Sequence, residues 1–217
     1  MSNKTKTFKT NYKGDISNNN NNNNNNHVII AFYAGKGDSP IIAKLIKLLS
    51  GDFTHVEILF PDVDRKYVAT SIVQDEGQIF NRPKSFGRKE WHYLTITSLS
   101  DKQMNAMQNF VYEVSHASHP NNFFNFSHMV CSISPFVYKS DKIKLKDGWF
   151  CSKYVVMVLH NAGLLENILP AATTPSSLYR ALLRELSPDQ IYKSCSPYYA
   201  KRIVKNKGLK LPTVFEE

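Results

Sequence analysis

The amino-acid sequence predicts an α+β fold in which a small, mostly antiparallel sheet packs against helices. Short apolar segments with the pattern of strands lie in the first half of the 217-residue chain, and turn signals separate them. Longer segments in which apolar residues recur at helical spacing dominate the second half. A chain of this length is expected to form one domain with a substantial core.

The chain divides by composition into three parts. Residues 1–26 are predicted to be a disordered basic tail, because the asparagine run Asn18–Asn26 cannot bury apolar surface. Residues 27–187 form the predicted domain, and residues 188–217 form a basic C-terminal extension. The formal net charge of +9 is concentrated at both ends. We therefore consider an anionic membrane surface as a partner, whereas specific binding of nucleic acid is not expected without a recognised motif.

The composition also indicates a compartment. Three cysteines are too few and too scattered for a disulfide framework, which favours a reducing environment. No apolar run is long enough to span a bilayer, and the polar N-terminus lacks the apolar core of a signal peptide. A cytoplasmic location is expected, and the oligomeric state is left open.

The first predicted elements follow from local patterns. A buried strand is predicted from His27 to Tyr33, where a turn with two glycines follows. An amphipathic helix opened by proline is predicted from Ser39 or Pro40 to Leu49. Further strands are predicted at residues 66–73, around 78–80 and around 91–96. Together with the segment described next, these strands would form the sheet.

The segment from Gly51 to Phe60 is predicted to be a strand whose two faces differ in chemistry. One face carries Val56, Ile58 and Phe60, and the other carries Phe53, His55, Glu57 and Leu59. Two titratable groups on one face of an apolar strand are costly to bury without partners, so His55 and Glu57 suggest a site. The alternative interpretation is that His55 is an ordinary satisfied histidine and Glu57 a solvent-facing carboxylate.

A helix is predicted from Trp149 to Gly163, because neither proline nor internal glycine interrupts it and Gly163 lies where a C-terminal cap is expected. Cys151 falls in its first turn. Free N–H groups and the helix dipole favour an anion there, so the reactive thiolate would be stabilised. The alternative interpretation is a buried cysteine that behaves as a small, inert apolar residue.

Two more helices are predicted. Ser100 or Asp101 is expected to cap the first, and its apolar stripe is interpreted as core. That stripe consists of Met104, Met107, Phe110, Val111 and Val114. Ser176 or Ser177 is expected to begin the second, which extends to Leu186.

The segment between residues 116 and 131 contains ligand types suited to a tetrahedral zinc site. These ligands are His116, His119, His128 and Cys131. The intervening residues 120–126 are more apolar than a typical zinc knuckle, and mixed sites of three histidines and one cysteine are uncommon. A loop and helix lining a cleft is therefore preferred, and no metal or cofactor is predicted.

Three segments together resemble the circularly permuted papain-like superfamily, which contains the NlpC-type peptidases, amidases and acyltransferases. They are Phe53–Ile58, Trp149–Ser152 and Thr174–Leu178. The likeness extends from about His27 to about Leu186 and is greatest to YiiX-like bacterial members and to relatives in large DNA viruses, including poxviruses. It implies a permuted papain-like fold, in which a histidine on a strand precedes a cysteine at a helix N-terminus. Lys153 departs from the pattern, because relatives often have an acidic residue there.

The resemblance implies a cysteine-dependent hydrolase acting on an amide or peptide bond. Cys151 would attack the carbonyl, and His55 would accept the thiol proton and later protonate the leaving group. Either Glu57 or Ser71 would hold the imidazole. Relatives often place this orienting residue on the strand after the histidine, where Ser71 is the candidate, whereas Glu57 shares the face of His55 itself.

Two alternative functions follow from the same segments. A lipid-directed thiol acyltransferase or esterase would use the same groups, and the basic surface would attract anionic headgroups. A non-catalytic interaction or virion protein could retain the fold without the chemistry. The substrate is accordingly a peptide, an amide or a lipid acyl group, and a viral protein would be expected in the virion.

Overall fold

A computed structural model describes the protein over residues 26–34, 51–61, 67–72, 79–83, 90–116 and 148–194. Within these ranges the chain forms six strands, three α-helices and one short 3-10 helix. The strands are β1 (Asn26–Tyr33), β2 (His55–Pro61), β3 (Tyr67–Ile72), β4 (Ile79–Pro83), β5 (Trp91–Leu99) and β6 (Ile191–Ser194). The helices are α1 (Asp101–His116), α2 (Cys151–Asn161) and α3 (Pro175–Glu185), with the 3-10 helix at Pro170–Ala172.

The strands form one sheet in the order β4-β3-β2-β1-β5-β6. All pairings between these described strands are antiparallel. β1 lies between β2 and β5, and its residues 28–32 are buried, which explains its continuous apolar sequence. The predicted α+β class with a small antiparallel sheet is confirmed. The sheet also extends to Ser194, beyond the domain end expected at residue 187, because β6 pairs with β5.

The two faces of the sheet pack differently. The helix face, as we call it, contacts all three helices through a large apolar cluster. Its sheet members include Ile30, Ile58 and Leu94, and its helix members include Met107, Tyr154 and Leu178. The opposite face carries a smaller cluster of Ile29, Ala31, Leu59, Tyr67, Ala69 and Tyr93. Alternation along β2 places His55 and Glu57 on this opposite face.

The histidine strand begins at His55, four residues later than Gly51, where its start was predicted. Phe53 precedes the strand and packs in the helix-face cluster, with its ring centroid 5.2 Å from that of Phe32 and 4.9 Å from that of Tyr179. The prediction that Phe53 shares the face of His55 is therefore wrong. Alternation holds only within extended strand, and the chain before His55 is not yet in the ladder.

The cysteine helix α2 is shorter than predicted, because Phe150 at the N-cap position is extended, with φ −138° and ψ 160°. Cys151 is therefore the first helical residue. At the other end Gly163, with φ 69°, follows the helix, and its N–H donates to the His160 carbonyl at 2.9 Å. The predicted role of Gly163 in ending this helix is confirmed.

The flanking helices have well-formed N-termini. For α1, the Gln103 N–H donates to Ser100 Oγ and the Ser100 N–H donates to Gln103 Oε1, so the predicted cap at Ser100 is confirmed. The start of α3 is different. It begins at Pro175 after a Thr174 cap, and Ser177 completes a capping box. The prediction that Ser176 or Ser177 opens this helix is wrong, because Thr174 is the residue whose side chain meets the free N–H.

Several predicted features lie outside the described residues. These are the tail over residues 1–25, the helix at 40–49, most of the segment that carries the zinc alternative, and the C-terminal extension after residue 194. In the part of the chain that is described, none of the helices has the length and apolar character needed to cross a membrane.

Candidate active site

His55 is the first residue of β2 and lies at one end of the sheet. Its Cα is paired with that of Tyr33 on β1. About a fifth of the side chain is accessible, at 18%. The Nε2 atom itself is buried and has no hydrogen-bond partner among the described residues.

Glu57 lies next to this imidazole on the same face of β2. The distance from Glu57 Oε1 to His55 Nε2 is 3.6 Å, which is longer than a standard hydrogen bond but within the range of an ion pair. The Glu57 side chain is only 1% exposed. The interpretation of Glu57 as a solvent-facing carboxylate is therefore wrong, and its charge requires compensation inside the protein.

Cys151 occupies the N-terminal position of α2, which packs across β2 and β3. The residue is 4% exposed and belongs to the helix-face cluster. Burial alone would also suit an inert cysteine. The feature that distinguishes Cys151 is that its side chain lies close enough to His55 to raise the pKa of the imidazole. Both residues begin their elements, so they meet where the strand and the helix start.

The imidazole is held in its protonated form. Burial of His55 disfavours the charged ring, but the nearby side chains of Cys151 and Glu57 outweigh this effect and raise the pKa from 6.5 to about 9. At neutral pH His55 is therefore an imidazolium ion.

Ser71 is placed on β3 but does not contact the imidazole through its hydroxyl. The Ser71 Oγ donates to the backbone carbonyl of Val56 at 2.7 Å. The neighbouring Thr70 faces the helices, where its hydroxyl meets that of Tyr154 at 2.8 Å. Two residues were predicted to orient the imidazole. The Glu57 carboxylate faces His55, whereas the Ser71 hydroxyl binds the backbone.

Two buried serines tie the three resembling segments together. Ser152 Oγ donates to the Thr173 carbonyl at 2.6 Å, which fixes the start of α2 to the chain before α3. Ser176 Oγ accepts from the Phe53 N–H at 3.0 Å, which fixes α3 to the chain before β2. Gly51 allows this approach, because a Cβ there would lie 3.1 Å from Ser176 Oγ. The sequence analysis did not assign these bonds, although both serines lie in the segments that carry the resemblance.

Lys153 is buried, and its ammonium group contacts the chain that precedes α2. Its Nζ donates to the Gly148 carbonyl at 2.8 Å and lies 5.3 Å from the centre of the Trp149 ring. These contacts stabilise the chain that leads into α2. They agree with the helical geometry, in which residues two positions apart do not face each other.

Aromatic side chains flank His55, and the sequence analysis did not include them. Tyr33 on β1 is paired with both His55 on β2 and Trp91 on β5. The ring centroids of Tyr33 and Trp91 are 5.0 Å apart, and those of His55 and Trp91 are 6.3 Å apart. Strand register brings these rings together, and register is not readable from any one segment.

The next row of cross-strand neighbours on this face is centred on Ala31, two residues before Tyr33 on β1. Ala31 on β1 is paired with both Glu57 and Tyr93. Because the alanine side chain is small, the carboxylate and the phenol face each other across it. Burial and, to a lesser extent, the Glu57 charge raise the pKa of Tyr93, so this phenol stays neutral.

No group of three or more metal-ligating side chains that could hold a metal is found within the described ranges. Of the four candidate zinc ligands, His116 ends α1 without a described side chain, and His119, His128 and Cys131 lie outside those ranges. The zinc alternative was not the preferred interpretation, and it stays a prediction about that segment.

Comparisons of the chain with protein-family models, with curated proteins and with solved structures found no match. Membership of the permuted papain-like superfamily therefore stays a prediction based on three short segments.

Proposed function

We propose that the protein is a cysteine-dependent hydrolase that cleaves an amide or peptide bond with Cys151 and His55. The observation that carries this proposal is the proximity of a cysteine at a helix N-terminus to an imidazole that also faces a buried carboxylate. A cysteine that served only as a small apolar residue would need neither His55 nor Glu57 beside it. Nucleophile, acid and orienting group are the parts that acyl transfer requires.

The first half of the reaction follows from the charge state of the site. The Cys151 thiolate attacks the substrate carbonyl and forms a C–S bond. The imidazolium of His55 then gives its proton to the departing amine as the C–N bond breaks. In the second half the neutral His55 accepts a proton from water, which attacks the acyl group and releases the acid and Cys151.

Glu57 and the start of α2 complete the proposed machinery. The carboxylate at 3.6 Å stabilises the imidazolium and restricts its orientation. Phe150 at the N-cap position has no polar side-chain atom that could occupy the first N–H groups of α2. Those groups are suited to the oxyanion that forms when Cys151 attacks.

The fold proposed for this site is the permuted papain-like fold. Its support is the order of the elements, in which the histidine strand precedes the cysteine helix, and the packing of α2 on an antiparallel sheet. The hydrogen bonds of Ser152 and Ser176, which join all three resembling segments, support it further.

A lipid-directed acyltransferase or esterase is the second candidate. The observation that favours it is the net charge of +9, which would attract an anionic membrane surface. The chemistry at Cys151 would be the same, with a lipid acyl group as substrate.

A thiol-directed test separates an enzyme from a binding protein. A small chloroacetamide should label Cys151 faster than Cys131 and Cys195, which serve as internal references. His55→Ala should remove that advantage, whereas His160→Ala should retain it, since His160 Nε2 contacts the Leu165 carbonyl at the far end of α2. Labelling of Cys151 no faster than an ordinary exposed thiol would contradict the proposal. Peptide, isopeptide, ester and lipid substrates, with Cys151→Ala as the blank, then identify the reaction.

A further inference from the structure

Three rings stand side by side at one end of the sheet. Tyr33 is the cross-strand partner of both His55 and Trp91, so all three side chains project from the same face of β2, β1 and β5. The ring of Trp91 contacts both of the others, with centroids 5.0 Å from Tyr33 and 6.3 Å from His55. The imidazole therefore continues into an aromatic surface.

The three side chains of this surface are less buried than the row next to them. His55, Tyr33 and Trp91 are each partly exposed, whereas Glu57, Ala31 and Tyr93 in the next row are buried. A pair of partly exposed rings beside a reactive imidazole offers a flat, apolar contact to whatever approaches that imidazole.

The position of α2 decides which part of a substrate would meet the two rings. This helix packs across β2 and β3, and Tyr154, one turn after Cys151, meets Thr70 of β3. Cys151 belongs to the cluster on the helix face, whereas Tyr33 and Trp91 project with His55 from the opposite face. The two rings therefore lie on the far side of the imidazole from the helix that carries the sulfur. The group that His55 protonates is the leaving group, so this group would lie towards the rings.

We propose that Tyr33 and Trp91 form a subsite for the leaving group and select amines that carry an aromatic or other flat apolar substituent. This inference rests on the proposed function, since only acyl transfer defines a leaving group. The subsite adds a substrate class to that function, because the amine side of the scissile bond, rather than its acyl side, would be recognised here.

The test compares N-benzyl chloroacetamide with N-butyl chloroacetamide. In both reactions the Cys151 sulfur forms a bond to the methylene carbon and chloride leaves. The substituent is separated from that carbon by the amide group, and reaction of both reagents with glutathione corrects for any difference in intrinsic reactivity. The rate of Cys151 labelling is followed by intact mass and assigned by peptide mapping.

The wild-type protein is expected to react roughly fivefold faster with the benzyl reagent, the advantage that one good aromatic contact provides. Trp91→Leu, which keeps an apolar side chain but removes the flat ring, should bring the ratio close to one, and Trp91→Phe should keep most of it. Tyr112→Ala, at an exposed position on α1, is the matched control and should leave the ratio unchanged.

A wild-type ratio near one would overturn the subsite, and so would a preference that persists in Trp91→Leu. Failure of the proposed function has a different signature, since Cys151 would then react with both reagents no faster than glutathione does.

Discussion

The two faces of the sheet are formed by the same strands but differ in what they bury. On the helix face, Ile30 is flanked by Ile58 and Leu94, and the layer beneath the helices is apolar. One residue further along β1, Ala31 is flanked by Glu57 and Tyr93, which bring a carboxylate and a phenol into the interior. The helix face stabilises the fold by excluding water, and the opposite face carries charges that burial opposes.

That contrast is consistent with the site proposed above. Burial opposes the charge of both Glu57 and His55, so this pair carries a desolvation cost that apolar side chains would not. The pair at Glu57 and His55 lies beside a cysteine at a helix N-terminus, and all three groups suit acyl transfer. Substitutions on the two faces should therefore have opposite signatures.

The largest effect is expected from His55→Ala. Loss of the proton donor and acceptor should lower kcat/KM by a factor on the order of 10² to 10⁴, the contribution of a well-placed acid and base. The substitution also removes a positive charge next to the buried Glu57, so some stability should be lost as well. Steady-state kinetics and a thermal melt measure the two quantities, and activity within threefold of wild type would contradict the assignment.

Leu94→Ala should give the reverse signature on the helix face. Truncation of this fully buried side chain leaves a cavity and should lower the free energy of unfolding by about 2–5 kcal/mol. The rate per folded molecule should change little. Urea unfolding with activity measured at low denaturant checks this, and an activity loss as large as that of His55→Ala would show that the two faces are not separate in function.

Glu57→Gln should have a smaller effect on the rate than His55→Ala. The amide keeps the size of the side chain but removes the charge, so kcat/KM should fall on the order of tenfold to a hundredfold. Glu113→Gln, on the exposed side of α1, is the same substitution away from the candidate site and should leave kcat/KM unchanged. Equal rates for the two variants would remove Glu57 from the proposed machinery.

The pH dependence sharpens the comparison further. Because the pKa of His55 is raised from 6.5 to about 9, its stabilising contribution is complete below about pH 6.5 and is lost as the pH rises through 9. Activity that requires the imidazolium should fall over that same upper limb. In Glu57→Gln the limb should move to lower pH, since one of the two groups that raise the pKa is gone. NMR titration of the imidazole measures the pKa, and a value near 6.5 in the wild type would contradict this charge state.

The sequence was enough to predict the local placement of the site residues, but not which residues of different strands contact one another. Period-two alternation placed His55 and Glu57 on one face, and the expected helix start placed Cys151 in the first turn, because both depend only on neighbouring residues. Whether Glu57 or Ser71 faces the imidazole depends on where the Ser71 hydroxyl finds an acceptor, and the backbone carbonyl of Val56 supplies one. Tyr33 and Trp91 needed the register of three strands.

The same limit applied to the fold. A four-residue strand such as β6 has too short a pattern to predict, and its place comes from pairing with β5. The start of α3 could not be fixed because Thr174, Ser176 and Ser177 are all able to cap a helix, and tertiary contacts decide among them. Ser176 instead accepts the N–H of Phe53, more than a hundred residues earlier in the chain.

Ser71→Ala is expected to have the smallest effect and separates the two predicted orienting residues. Loss of the hydrogen bond from Ser71 Oγ to the Val56 carbonyl should lower the free energy of unfolding by about 1 kcal/mol. The rate and the upper pH limb should stay those of the wild type, because this hydroxyl binds the backbone and not the imidazole. A tenfold fall in kcat/KM, with Glu57→Gln near wild type, would instead assign the orienting role to Ser71. The residue that orients the imidazole would then lie on β3, and the buried Glu57 would be a structural charge with no part in the reaction.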